Sequence, residues 1–356
     1  MVKNMKKLAV IGCGGIGSYH LGHFLGFKDI VELAGFCDLI PERAESFVEQ
    51  AGCGKAFTDY KVMLDEIKPD MVFVCVPPYC HGEIEFDLIE RGIHFFVEKP
   101  LALDLDLARK IRDAAAEKNL ITASGFQCRY SNLAEPNKKF CEENEIVFVD
   151  CTRIGGMPTV FWWRDKDISG GQIVEQTIHQ FDIIRYVFGE PEEVFTYGSR
   201  GFLKGVENYN TDDISTTVVK YKNGTLGTIS TGCYATNGNS HDSKVIFSAK
   251  DKRSELKILD KFEIFGDKPV EVEKDSGGGF VVKGDGALAK AGGDTVIYRQ
   301  EGDAGILCDR TFIEAVISGE GSKIRSPYAD AFKSLSFTIA CNKSMETGLP
   351  VKVELE

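Results

Sequence analysis

The chain lacks the patterns that mark a disulfide framework, a zinc site of paired cysteines or a membrane span. Its 356 residues include 11 cysteines but no C-x-x-C pair, and most cysteines sit in apolar runs such as 72–76. Cysteines so placed are typical of small core residues in a reducing compartment. No apolar run approaches the ~18 residues that a membrane-spanning helix requires. We therefore expect a cytoplasmic protein with no membrane partner.

Positive charge is also scarce. Lys and Arg total 42 against 54 Asp and Glu, which gives a formal net charge of -12. Such a chain would repel a phosphate backbone, so nucleic acid is not expected as a partner. Its length and 43% hydrophobic content are sufficient for two cores,. We predict two domains, residues 1–124 and 125–356.

The first part of the chain alternates short apolar runs with helical patterns. In the helical segment 104–118, Leu107, Ile111 and Ala115 recur at spacings of four and form one apolar stripe,. This alternation predicts an α/β fold with a doubly wound parallel sheet of the Rossmann type. The predicted strands are 8–11, 31–37, 71–76, 93–97 and 120–123.

After residue 125 the pattern changes to successive strands with few helices between them. The triplet 222–224, Lys-Asn-Gly, is typical of a turn between two strands,. We predict a C-terminal α+β domain with a large, mostly antiparallel open sheet. The glycine-rich segment 276–294 lacks the spacing of a phosphate loop and is expected to be a mobile insertion without a catalytic role. The predicted strands are 146–153, 193–198, 215–221, 225–231, 244–248 and 255–259, and the predicted helices are 170–188, 304–317 and 328–347.

A glycine fingerprint follows the first predicted strand. Gly12, Gly14 and Gly17 fit G-x-G-x-x-G, which allows a tight turn, close approach of a pyrophosphate and close packing of the next helix,. Asp38 ends the second strand, 21 residues after Gly17, where a carboxylate would bind ribose hydroxyls and repel a 2′-phosphate,. We predict NAD as the cofactor, with NADP less favoured, although Arg43 lies nearby. Gly15 and Ile16 of the same loop, and Arg43 after Asp38, are also predicted to contact the cofactor.

Two further segments carry residues suited to catalysis. Lys99 follows a predicted parallel strand at its carboxyl end, where open α/β sheets bind ligands,. Glu175 and His179 lie four residues apart in the predicted helix 170–188, which would place them on one face,. A carboxylate beside an imidazole suits a general base. No second histidine completes H-E-x-x-H, so no metal is predicted.

These motifs together resemble the Gfo/Idh/MocA oxidoreductase family over nearly the whole chain. The resemblance implies that a sugar, glycoside or inositol is oxidised or reduced, and that the C-terminal sheet forms a homodimer or homotetramer. It also implies that Lys99 acts at the reaction centre, that His179 is the acid/base, and that the Lys99–Pro100 bond is often cis. The motifs are the glycine fingerprint with Asp38, Val76-Pro77-Pro78 with His81, Glu98-Lys99-Pro100, residues 125–130 (Gly-Phe-Gln-Cys-Arg-Tyr), and Trp163-Arg164-Asp165 before the Gly170-Gly171 helix with His179.

The chain departs from the family pattern at two positions. Glu175 stands where aspartate is usual, and Gln127 stands where asparagine is common. We still predict Glu175 to be catalytic and Gln127 to contact the cofactor. The other predicted cofactor residues in this part are Pro77, His81, Glu98 and Lys99. The predicted substrate-binding residues are Lys99, Arg129, Tyr130, Trp163, Arg164, Glu175 and His179.

Some alternatives stay open at the level of sequence. A buried Trp163 could anchor the sheet instead of binding a sugar, and Asp182 could face the site or contact Arg185. A sugar-responsive regulator without turnover is one alternative function, although the presence of both Lys99 and His179 argues against it. The other is a glycoside-cleaving enzyme in which NAD is reduced and regenerated without net redox change.

Overall fold

The computed structural model describes residues 5–236, 241–266, 272–274, 280–282 and 295–356. Within them, no helix is long and apolar enough to cross a membrane. The first part of the chain alternates strands and helices, as the sequence predicts. Its elements are β1 (Lys6–Ile11), α1 (Gly15–Phe24), β2 (Val31–Cys37), α2 (Pro41–Ala51), β3 (Lys55–Phe57), α3 (Tyr60–Ile67), β4 (Met71–Val74), α4 (Glu83–Glu90), β5 (His94–Val97), α5 (Leu105–Glu117) and β6 (Thr122–Ser124).

These six strands form one parallel sheet in the order β3-β2-β1-β4-β5-β6. The prediction of a doubly wound Rossmann sheet is confirmed. Strand order reverses between β1 and β4, and ligands of such sheets bind in the crevice outside the carboxyl ends at that point. The edge strand β3 was not predicted, because its three residues are largely exposed and show no apolar run.

The second part of the chain builds a nine-stranded sheet in the order β16-β13-β12-β11-β7-β10-β9-β8-β17. Only β10 and β7 pair in parallel, so the prediction of a mostly antiparallel sheet is confirmed. The elements are α6 (Ala134–Glu143), β7 (Ile146–Gly156), α7 (Lys166–Ser169), α8 (Gly171–Val174), α9 (Ile178–Val187), β8 (Pro191–Ser199), β9 (Ile214–Tyr221), β10 (Leu226–Ala235), β11 (Asp242–Ala249), β12 (Arg253–Lys257), β13 (Lys261–Phe265), β14 (Val272–Lys274), β15 (Phe280–Val282), β16 (Val296–Arg299), α10 (Ala304–Ser318), α11 (Tyr328–Thr347) and β17 (Val351–Lys352).

The prediction of one continuous helix over 170–188 is wrong. The chain forms the short helix α8, breaks at residues 175–177 and starts again as α9. At the break, the backbone N–H and the hydroxyl of Thr177 both donate to the carbonyl oxygen of Gln172 (2.9 and 3.0 Å). The carbonyl of Glu175 accepts from the side chain of Lys99 instead of continuing a helix. A long-range contact therefore outweighs the local helical pattern.

The last two helices return to the first sheet. Helix α11 contributes Phe332 and Leu335 to the core on one face of that sheet, and α10 contributes Phe312 and Val316 to the core on the other. A third core lies between the second sheet and α9 and α11. The division at 124/125 stays a prediction. Helix α11 contributes residues to the core of each part. Most of the glycine-rich segment 276–294 lies outside the described residues.

Candidate active site

The glycine loop between β1 and α1 forms a cradle for an anionic group. Gly12 has a φ of +95°, and a Cβ there would come within 2.2 Å of the carbonyl oxygen of Cys75. Gly17 is equally restricted, because a Cβ would meet the carbonyl oxygen of Gly12 at 2.2 Å. Around Gly14 and Gly15 there is open space, and no side chain caps α1. The free N–H groups at this helix start therefore fit the pyrophosphate of NAD.

Asp38 lies beside this loop at the end of β2. Its Oδ2 accepts the backbone N–H of Cys13 (2.8 Å), and its Oδ1 accepts that of Ile40 (2.9 Å). These bonds hold the carboxylate at the position expected to meet the adenosine ribose. Arg43, which is exposed, has its Nη1 3.8 Å from Asp38 Oδ1. Asp38 therefore offsets the charge that would attract a 2′-phosphate.

An open cleft of about 600 Å³ extends from the glycine loop. The hydroxyl of Tyr19 crosses it to Gln127 Oε1 (2.7 Å) and Asp303 Oδ1 (3.1 Å). Deeper in, a second cavity contains Glu98, Lys99 and His179. The structure thus brings together predicted cofactor and catalytic residues. The cleft is lined by Gly15, Ile16, Tyr19, Gln127, Leu259, Gln300, Gly302, Asp303 and Ala304.

Lys99 follows the carboxyl end of β5, and its peptide bond to Pro100 is cis, as expected. Its Nζ donates to both the carbonyl oxygen and Oε1 of Glu175, each at 2.9 Å. Burial by itself would lower the pKa of Lys99, but the charges of Glu175 and Glu98 outweigh that effect and raise it,. Lys99 is therefore a positively charged donor in the cavity.

His179, the second residue of α9, lines the same cavity. Burial lowers the pKa of its imidazole to about 3, and the charge of Lys99 adds to this effect. The ring is therefore neutral, and its Nδ1 has no hydrogen-bond partner among the described residues. The expectation that Glu175 and His179 share one face of a helix is wrong, because the helix breaks between them and Glu175 binds Lys99 instead.

The sequence did not reveal a buried network below Lys99. His20 Nε2 contacts Glu98 Oε1 (3.0 Å), and its Nδ1 contacts Asp309 Oδ2 (2.8 Å). Burial opposes protonation of His20, but Asp309 and Glu98 raise its pKa to about 10. An imidazolium between two carboxylates thus holds Glu98 in place. Sequence reasoning could have noticed only that His20 follows Gly17 by three residues. Asp309 lies 289 residues further along the chain, so no local pattern connects the two.

The same cluster has the composition of a metal site. The ligand atoms of His20, His23 and Asp309 lie within 4.8 Å of one another. However, His23 Nδ1 is 2.6 Å from Asp309 Oδ2, and His20 Nδ1 is 2.8 Å from the same oxygen. These are lengths of direct hydrogen bonds, whereas two ligands of one zinc ion would stand about 3 Å apart or more. The geometry therefore favours a hydrogen-bonded network over a metal site.

Comparison with known proteins agrees with this geometry. A family model described as an oxidoreductase family with an NAD-binding Rossmann fold matches residues 6–126. A second model, the GFO/IDH/MocA C-terminal domain, matches residues 145–269. The chain belongs to the Gfo/Idh/MocA oxidoreductase family. Its cofactor is accordingly NAD, which the glycine loop and Asp38 fit.

Among the relatives of this Gfo/Idh/MocA protein, myo-inositol 2-dehydrogenase of Thermotoga maritima is 26% identical over 354 residues, 98% of each chain. The scyllo-inositol 2-dehydrogenase (NAD(+)) of Bacillus subtilis is 25% identical over 252 residues, 69% of this chain and 72% of that one. A solved structure of levoglucosan dehydrogenase in complex with NADH has a TM-score of 0.80 at 19% identity and covers 99% and 100% of the two chains, which shows a shared fold.

Arg129 and Tyr130, which the sequence predicts to bind substrate, are buried and do not line either cavity. Arg129 donates to both oxygens of Asp182 (2.9 and 2.5 Å) and also contacts Asp330. The hydroxyl of Tyr130 accepts the backbone N–H of Arg325 (2.9 Å). We therefore correct the expectation that Arg129 and Tyr130 bind substrate and assign both a structural role. Asp182 neither faces the site nor binds Arg185 directly.

The remaining predicted residues, Trp163, Arg164, His81 and Pro77, do not line either cavity. Trp163 has no exposed area and packs against Tyr209 (ring centroids 6.4 Å apart), which favours the anchoring alternative over sugar binding. The carbonyl of Arg164 accepts the backbone N–H of Asn210 (3.0 Å). His81 is buried, and its Nδ1 contacts a glutamate of α4 (2.7 Å). Pro77 caps the short turn Pro78–Cys80, which contacts α7.

Proposed function

We propose that this enzyme transfers hydride between a secondary hydroxyl of a sugar, glycoside or inositol and NAD. The observation that carries the proposal is the pairing of a charged Lys99 with a neutral His179 in one cavity beside the glycine loop. A cationic hydrogen-bond donor can stabilise the oxygen of an alcohol as it loses its proton, and an unpaired imidazole can accept that proton. The relatives named as inositol dehydrogenases support this substrate class.

In this mechanism His179 and Lys99 act on the same oxygen. The neutral imidazole accepts the proton of the hydroxyl, while the Nζ of Lys99 donates a hydrogen bond to that oxygen and stabilises its developing negative charge. Glu175 keeps Lys99 protonated and directs it into the cavity. The nicotinamide of bound NAD supplies the acceptor for the hydride that leaves the carbon. Reduction follows the same path in reverse.

The first experiment is to incubate the purified protein and NAD⁺ with inositols, sugars and glycosides. Absorbance of reduced nicotinamide and mass spectrometry of the products are followed together. We expect NADH to form in step with a keto product. Substrate loss without net NADH would favour the glycoside-cleaving alternative, and binding without turnover would favour the regulator.

The assignment of roles is tested by substitution. We expect Lys99→Met and His179→Gln each to lower kcat about 10²- to 10⁴-fold, because each removes a group that acts in the transition state. Asn119→Gln, at an exposed turn after α5, is the control and should leave kcat unchanged. If both Lys99→Met and His179→Gln kept near wild-type kcat/KM, the proposed mechanism would be abandoned.

We also propose a cytoplasmic homo-oligomer joined through the second sheet. All 11 cysteines are free thiols, which supports a reducing compartment,. The strand register puts four exposed apolar side chains on the outer face of the sheet, opposite the core. Apolar area of this kind is commonly covered by a second copy. The four residues are Phe148, Tyr197, Val218 and Leu226.

A further inference from the structure

Arg153 lies near the end of β7 and was not marked by any sequence motif. Its side chain points to the same face of the sheet as Val149 and Cys151, which are fully buried in the core. Its register partner on β10 is Thr231. The carbonyl of Thr231 accepts a hydrogen bond from Gln172 of α8 (3.3 Å), so this end of the sheet packs below the segment that carries the catalytic residues.

The guanidinium of Arg153 stands close to the catalytic groups without binding them. Its Nη1 donates to the Sγ of Cys233 at 3.1 Å. Burial raises the pKa of Cys233 to about 12, and Arg153 opposes this effect while Glu175 adds to it. Arg153 is also one of the charges that lower the pKa of His179. The charges of Arg153 and Glu175 therefore both act on the thiol of Cys233, and Arg153 contacts it directly.

The charge of Arg153 is not compensated by any described residue. Nη1 contacts only a thiol and, at 3.4 Å, a backbone carbonyl, both of which are neutral, and no ion pair is formed within the described ranges. Its other two nitrogens, Nε and Nη2, do not belong to the buried side-chain atoms that lack a hydrogen-bond partner, so solvent reaches them. The carboxylates near the catalytic groups, Glu175 and Glu98, contact Lys99 and His20 instead. Arg153 therefore has two donor atoms, Nε and Nη2, without a hydrogen-bond partner among the described residues, and its charge acts on His179.

We infer that Arg153 binds an anionic group of the substrate, so the preferred substrate is an acidic sugar that carries a carboxylate or a phosphate. The inference rests on the proposed function, because Lys99 and His179 are taken to engage the reacting hydroxyl. A guanidinium pairs with both kinds of oxyanion through two parallel hydrogen bonds. The net charge of the chain is -12, so attraction for an anion must come from a local cation such as this one,.

The test measures binding and does not need turnover. The NADH-bound protein is titrated by calorimetry with D-glucuronate, D-glucose 6-phosphate and D-glucose. We expect at least one acidic sugar to bind about 10- to 100-fold more tightly than glucose, as charge-assisted hydrogen bonds do. Preference for glucuronate alone would identify a carboxylate, and preference for the phosphate would identify a phosphoryl group.

Two variants assign the preference to Arg153. In Arg153→Gln we expect the acidic sugar to lose this 10- to 100-fold advantage, with binding of glucose and of NADH unchanged. Lys220→Gln removes one positive charge from the outer face of the same sheet and should keep the preference. Equal affinity for all three sugars, no measurable binding of either acid, or an unchanged preference in Arg153→Gln would each overturn the inference. Selective binding in this titration, together with no NADH formation when the same sugar is incubated with the protein and NAD⁺, would instead count against the proposed dehydrogenase activity alone.

Discussion

Lys99 and His179 have opposite protonation states in one cavity because their neighbours differ. Lys99 contacts the carboxylate of Glu175 (2.9 Å), which favours its charged form. The pKa of His179 is lowered by burial and by the nearby charge of Lys99. Burial, together with the charge of Lys99, therefore keeps the imidazole unprotonated. Glu175 in place of the usual aspartate is long enough to reach Lys99 while its own carbonyl accepts from the same nitrogen.

The pH dependence of oxidation follows from these states. Because the pKa of His179 is about 3, far below its ordinary value of 6.5, we expect no inflection in kcat/KM from this residue between about pH 5 and about pH 8. The measurement is a pH–rate profile of the wild type and of His179→Gln. An inflection near the ordinary histidine value in the wild type, absent from the variant, would contradict the assignment.

Gly125 is constrained by the carboxylate of Glu98. A Cβ at this position would lie 2.2 Å from Glu98 Oε1, so Gly125→Ala must displace the carboxylate that contacts His20. We expect a loss on the order of 1–3 kcal/mol of stability and a fall of about 10- to 100-fold in kcat. Gly22→Ala in α1 meets nothing within 4 Å and is the matched control. Similar behaviour of the two variants would rule out this role for Gly125.

At the scale of elements, charged side chains join the helices below the site. Arg129 follows β6, Asp182 lies on α9 three residues after His179, and Asp330 lies on α11. Ser334 of α11 also donates to Asp182 (2.6 Å). The network therefore holds α9, the helix of His179, against α11.

Breaking this network should affect stability first. We expect Arg129→Met to destabilise the protein by about 3–5 kcal/mol, since it leaves Asp182 buried without its charged partner. The double variant Arg129→Met with Asp182→Leu should recover part of the loss. Thermal unfolding and the KM for sugar are measured for both variants. Unchanged thermal stability with a raised KM would restore the earlier prediction that Arg129 binds substrate.

At the scale of the whole molecule, His20 should make the folded protein less stable as the pH rises into the alkaline range. Its folded pKa of about 10 lies above the ordinary value of 6.5. The contribution is therefore fully present below about pH 6.5 and is lost as pH rises through about 10. We expect the Tm of the wild type to exceed that of His20→Gln at neutral pH, with the difference shrinking toward pH 10. A difference that is constant across this range would contradict the linkage.

The outer face of the nine-stranded sheet is expected to be an interface between copies of the chain. Tyr197 is 70% exposed and Val218 is 46% exposed, yet both are large apolar side chains. Val218→Asp and Tyr197→Asp should shift the mass in analytical ultracentrifugation from oligomer toward monomer, because a carboxylate would be buried without a partner. Val62→Asp on α3, with Val62 52% exposed, is the control. A wild type that sediments as a monomer would refute the interface.

Patterns over a few residues were sufficient for the fold class and for part of the site. The alternation of apolar runs with helical stripes predicted the parallel sheet, and the glycine spacing predicted the loop before α1. The position of Lys99 followed from the strand that precedes it. These features depend on contacts within one element or its immediate neighbours, so a single sequence contains them.

Only the tertiary structure decided which groups these residues meet. Lys99 and Glu175 are 76 residues apart, and Arg129 and Asp182 are 53 apart, so no local pattern predicts either pair. The contact with Lys99 breaks the predicted helix, and burial turns Arg129 from an expected ligand into a structural residue. Arg153 looked like any strand residue until the structure showed its side chain in contact with Cys233 of β10. The sequence by itself thus determined the elements and the chemical groups, whereas long-range packing set their charge states and partners.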